Sequence, residues 1–107
     1  METDCVLVWT TIGSTADGRG MASILVTERL AACVNVLPEM ESFYRWKGQV
    51  ETDRERQLVM KTTSARVPEL KARVHNLHAY EVPEFIVMPI VGGSEAYLNW
   101  IRESTAG

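Results

Sequence analysis

Cysteine is scarce: Cys5 and Cys33 are the only two in 107 residues. That is too few for a disulfide framework, and neither falls in a C-x-x-C or zinc-finger spacing, which argues against a structural zinc site. Positive charge is not in excess either. A net charge of -3 and a pI near 5.3 run against a nucleic-acid binder, which needs a basic surface to neutralise phosphates, and the eleven Lys and Arg are scattered among acids. Long hydrophobic runs are missing as well. The apolar stretch Cys5–Trp9, behind an acidic Met1–Asp4, is too short for a signal-peptide core or a membrane span, so a cytoplasmic protein without membrane contact is expected. Low-complexity segments and internal repeats are also absent. With 46% hydrophobic and 23% charged residues, the chain is expected to fold throughout as one domain over residues 1–107. A chain of this length buries only somewhat more than about 60% of its unfolded surface, so association is expected before any motif is considered.

What is present reads as alternating strands and helices. Cys5–Trp9, continued by Thr10 and Thr11, is a β-branched, apolar run of strand length, ended by Gly13. Ser14 or Thr15 is expected to cap a helix whose residues Met21, Ala22, Leu25, Val26 and Leu30 recur toward one face. Cys33–Leu37 is extended up to Pro38, which marks a bend, bulge or edge because it cannot donate to a ladder. The strand is expected to resume at Ser42. Phe43–Trp46 is rich in aromatics, Lys47-Gly48 supplies a two-residue hairpin turn, and a return strand begins at Gln49 and runs to Thr62. Ser64 is read as the cap of a second helix carrying the stripe Val67, Leu70, Val74 and Leu77, with Pro68 in its first turn. Val82 before Pro83 predicts an extended connection over Ala79–Glu84 into a strand Phe85–Val91, with a bulge or edge at Pro89. After Gly92-Gly93, Ser94 opens a last helix with Tyr97, Leu98 and Ile101 facing inward. The order β-α-β-β-α-β-α is that of an α+β, ferredoxin-like split βαβ sandwich: an antiparallel sheet with helices on one face and a C-terminal helix added.

Three ordered blocks are more specific than this pattern. They are Glu28-Arg-Leu-Ala-Ala-Cys-Val-Asn35, the spaced set Ser42, Tyr44, Trp46, Gly48, Glu55, Lys61 and Thr62, and His78-Ala-Tyr-Glu-Val-Pro-Glu84. Together, over roughly Val6 to Trp100, the chain resembles the CutA family. The resemblance implies a tight homotrimer with PII-like architecture, a cleft where subunits meet, and a link to tolerance of copper and other divalent ions. This sequence departs from the family at three positions. Trp9 and Leu77 stand where some members carry a cysteine and a second histidine discussed as copper ligands, and Ala79 replaces a usual proline. A Cys-His-His copper site therefore does not carry over.

Each candidate residue has a plainer reading beside its functional one. Cys33, flanked by Ala31, Ala32 and Val34, reads first as a small hydrophobe and only weakly as a metal ligand. Tyr44 and Trp46 could stack on a ligand ring, but strand aromatics usually pack across a sheet or an interface. His78, Tyr80, Glu81 and Glu84 cluster where a helix ends, and imidazole with carboxylates suits Cu(II) or another divalent cation; His78 with Glu81 is the expected metal pair. The competing reading has His78 interacting with the helix dipole and the glutamates pairing with Arg or Lys. His75, three residues before His78, could share its helix face as a second imidazole. Lys61 and Glu55 read as structural, with Lys61 expected to pair with Glu81 or Glu84 near the cleft.

Three functions follow in order. The first is a trimeric divalent-metal (copper) tolerance protein that binds a metal ion or small ligand at the intersubunit cleft. The second is a non-catalytic assembly or signalling scaffold. The third, an acylphosphatase-like hydrolase, would need an Arg-bearing phosphate loop after the first strand, and Thr10-Thr-Ile-Gly-Ser14 supplies no Arg. No catalytic residues are expected.

Overall fold

The computed structural model describes residues 3–107. Strand β1, Cys5–Gly13, forms from a β-branched run and sits centrally in the sheet, with β4 on one side and β5 on the other. Its alternation sorts two faces: Val8, Thr10 and Ile12 are buried on the helix side, while Trp9 and Thr11 point to the opposite side. Strand β4, Gln49–Thr63, is the longest element at 15 residues. Residues Glu55–Thr63 pair with β1 along its full length. On its other edge β4 meets first β3, Met40–Trp46, and then β2, Cys33–Val36. The last strand, β5, is Ile86–Pro89. The sheet order is β2-β4-β1-β5 with β3 continuing the β2 edge, and every pairing is antiparallel. This is the ferredoxin-like arrangement, with one of its four strands split in two. Pro38 makes the split by lacking an N–H, while Leu37 keeps the register by donating to the Gln57 carbonyl at 2.9 Å.

Helices α1, Gly18–Thr27, and α2, Val67–Leu77, cover one face. Between them and the sheet lies the main core, in which Val8, Ile12, Leu25, Leu58, Met60, Leu70 and Val74 are almost fully excluded from water. Gly18 begins α1 where helix and sheet touch: a Cβ there would lie 2.9 Å from the Ile12 Cδ1. The cap of α1 is Asp17, whose carboxylate accepts from the Gly20 N–H at 2.9 Å, and not Ser14 or Thr15. The helix also stops before Leu30. Arg29 adopts φ 60 and the Leu30 N–H returns to the Leu25 carbonyl at 3.0 Å, closing the end with a left-handed residue that is not glycine. Ser64 likewise does not cap α2. It opens a 3-10 turn, Ser64–Arg66, that leads into the helix, with Pro68 in the first turn of α2 as expected.

Helix α3, Glu95–Thr105, crosses the other face near one end, and the Ser94 hydroxyl accepts from the Tyr97 N–H at 3.3 Å. Beneath it Cys5, Ala32, Leu98 and Ile101 form a second, smaller core. Tyr97 does not face inward. It is 43% exposed and stacks on Trp100 with ring centroids 5.3 Å apart. β5 is shorter than the expected Phe85–Val91 and lies at a sheet edge, where Pro89 ends it without breaking an internal ladder.

Candidate functional site

Beyond Glu55 the β4 strand leaves β1 behind, and with β3 it projects as a two-stranded hairpin. Lys47 and Gly48, with φ 49 and φ 78, close that hairpin in the left-handed turn its twist requires. Alternation then places Met40, Ser42, Tyr44 and Trp46 of β3 on one face, level with Glu55 and Gln57 of β4. The chain leaving α2 passes over this face as the connection Ala79–Glu84, and a groove of about 620 Å³ opens between them. Its walls hold Tyr44, Trp46, Tyr80, Glu81 and Glu84, so the structure brings together five of the residues singled out from sequence.

The connection is tied down by its own polar groups. The Glu84 carboxylate accepts from the Gln57 amide at 2.6 Å and from the Thr11 hydroxyl at 3.1 Å, and the Glu84 carbonyl accepts from Thr10 at 2.7 Å. Tyr80 donates its hydroxyl to the Glu55 carboxylate at 2.6 Å. Burial and that carboxylate push the Tyr80 phenol well above its usual range. Across the groove Tyr44 donates to Asp53, and this hydrogen bond, followed by burial and the neighbouring acids, raises Tyr44 to about 12. Thr11, Gln57, Met40 and Asp53 were not singled out from sequence.

His78 borders a smaller recess of about 220 Å³ between α1 and the end of α2. Its Nδ1 accepts from the Tyr80 N–H at 3.0 Å and its Nε2 donates to the Thr11 carbonyl at 2.7 Å, so the ring braces the connection against β1. An ion reaches either nitrogen only by exchange for one of these bonds. His75 does not join it: its ring meets the Lys71 carbonyl at 2.8 Å and tilts against Phe85. Glu81 is exposed at the rim.

Two candidates lie elsewhere. Lys61 sits four residues beyond Gln57 on β4 and donates to the Asn35 side chain at 3.0 Å, with its ammonium 6.0 Å from the Tyr97 ring centroid. The expected pairing of Lys61 with Glu81 or Glu84 is therefore not made within the chain, because the strand carries the two groups apart. Cys33 is the register partner of Lys61 and half-buried there, outside the groove. Among the described residues, no three His, Cys, Asp or Glu side chains converge to hold a metal ion, so a single chain does not by itself fit one. The loop after β1 carries no phosphate cradle either, since the Asp17 carboxylate occupies the start of α1 and would repel an anion.

Comparison with known proteins agrees with the fold. The model for the family of CutA1 divalent ion tolerance proteins matches residues 6–104. Divalent-cation tolerance protein CutA of Thermus thermophilus is 48% identical over 99 residues, 92% of this chain and 96% of that protein. Human Protein CutA is 45% identical over 85 residues, 79% of this chain but 48% of its own length, so the chain spans about half of that relative. Among solved structures, CutA from Xylella fastidiosa aligns with a TM-score of 0.93 at 38% identity, covering 97% of this chain and 100% of that one. CutA1 from Oryza sativa gives 0.92 at 39%, covering 98% and 96%. The chain belongs to the CutA1 divalent ion tolerance protein family.

Proposed function

We propose that the protein is a homotrimeric divalent-metal tolerance protein whose intersubunit cleft, built on the groove under Ala79–Glu84, binds a metal ion or small ligand. The observation that carries this reading is the apolar surface left open on the hairpin and the edge strand. Phe43 is 71% and Val50 68% exposed on the hairpin face away from the groove, while Ile86, Val87 and Met88 line an unpaired sheet edge. Such surface on so small a domain favours burial against other copies of the chain. The reading keeps the cytoplasmic placement expected from the sequence.

In this reading Cu(II) or another divalent cation binds where the connection leaves α2, with oxygen from Glu81 at the groove rim, His78 of the adjoining recess trading its Tyr80 amide for the ion, and a neighbouring subunit completing the donor set. Few ligands and one exchanged hydrogen bond, costing about 1 kcal/mol, make this a weak, partly hydrated site. Cys33, remote from the groove, contributes little. Calorimetric titration of Cu(II) and Zn(II) into tag-free protein tests the assignment. Binding is expected to be weak in the wild type and lost in His78→Ala; equal binding by both would overturn it. Light scattering on the same sample tests the trimer, which a monomer mass at micromolar concentration would refute.

A further inference from the structure

The groove has a chemical character that its volume alone does not convey. Glu55 lines it with only 6% of its surface exposed. Among the described residues its carboxylate receives one donor, the neutral Tyr80 hydroxyl, and no salt bridge. A buried carboxylate ordinarily has a cation or several donors to replace lost water, and here a single neutral hydroxyl is its side-chain donor. Farther along the same groove stand the rings of Tyr44 and Trp46, across from Glu51 and Gln49, with Glu81 at the rim, and no Lys or Arg is among its described lining residues. At the turn the exposed Lys47 ammonium lies 5.8 Å from the Trp46 ring centroid, within cation–π range.

We propose that the groove binds a small aliphatic amine in its ammonium form, with the nitrogen donating to Glu55 and the methylene chain lying across Tyr44 and Trp46. An ammonium supplies the hydrogen bond and the charge that Glu55 lacks, and the aromatic walls add a cation–π attraction. A neutral alcohol of the same length would gain neither. An anion would meet three carboxylates. This inference rests on the groove being the ligand site of the proposed function and specifies its ligand class.

The test is a titration of 1,4-diaminobutane into the assembled full-length protein, read by calorimetry and tryptophan fluorescence, with 1,4-butanediol as the uncharged control. Saturable amine binding is expected, with no binding of the diol. Glu55→Gln keeps an acceptor for Tyr80 and removes the charge, and should weaken the amine by about tenfold or more. Trp46→Leu should weaken it roughly fivefold through loss of the ring on which the methylene chain lies. Circular dichroism and light scattering on each variant establish that fold and mass are retained. Amine affinity unchanged in Glu55→Gln, or diol binding equal to diamine binding, would overturn the proposal. If the wild type assembles and binds Cu(II) or Zn(II) through His78 yet ignores the amine, only this inference falls. If it neither assembles nor binds an ion, the proposed function itself falls.

Discussion

At the scale of single residues, the groove's chemistry resides in hydrogen bonds that hold protons in place. Tyr44 is kept neutral by donating to Asp53, and a phenol whose folded value is raised contributes stability below its ordinary value of 10 and loses it as pH rises through about 12. Ultraviolet titration should therefore show a tyrosine ionising near 12 that is absent in Tyr44→Phe. In Asp53→Asn the same ionisation should move back toward 10, and an unchanged profile would show that Asp53 is not its cause. Gly18 is constrained by space instead. A side chain at this position would press on Ile12 and, at 3.4 Å, on Val36, so Gly18→Val should destabilise the fold by about 1–3 kcal/mol in urea denaturation. A variant as stable as the wild type would mean that α1 can lift from the sheet.

Elements show how far the sequence reading carries and where tertiary structure overrides it. The order of strands and helices, the Lys47-Gly48 turn and the Ser94 cap were all legible, because β-branched runs, a glycine in a two-residue turn and a serine before an apolar stripe are local signals. Two caps were misplaced for one physical reason. The Ser14 N–H still donates to the Arg54 carbonyl and the Ser64 N–H to the Asp4 carbonyl, so both serines end a strand before any helix can begin. Which of several capping residues does the capping depends on where the sheet lets go of the chain. The site divides similarly: residues on the connection and on β3 converge, whereas Lys61 and Gln57 share a face of β4 but stand roughly 13 Å apart at about 3.3 Å per residue. At the hairpin, Lys47 occupies a left-handed conformation that asparagine accepts more readily. Lys47→Asn should stabilise the protein by a few tenths to about 1 kcal/mol, measured as a raised denaturation midpoint.

For the whole molecule the hairpin is the decisive feature, since it stretches the subunit to 44 Å along its longest axis and carries apolar side chains away from the core. Combining Phe43→Glu with Val50→Lys should leave the 12.0 kDa chain folded while shifting its mass from that of the proposed trimer toward monomer at micromolar concentration. A trimer mass unchanged in that variant would place the contacts elsewhere. Assembly should also make the wild-type melting temperature rise with protein concentration.

Strand β4 belongs to two mechanical regimes at once. Its residues 58–61 are held between β1 and β2, whereas 49–53 pair with β3 alone. Amides in the outer part that point away from β3 are open to deuterium in a solitary chain and closed wherever another copy covers them. Hydrogen exchange along this one strand thus works as a clock: the inner amides record global unfolding, and in the proposed trimer the outer ones record the time each chain spends alone.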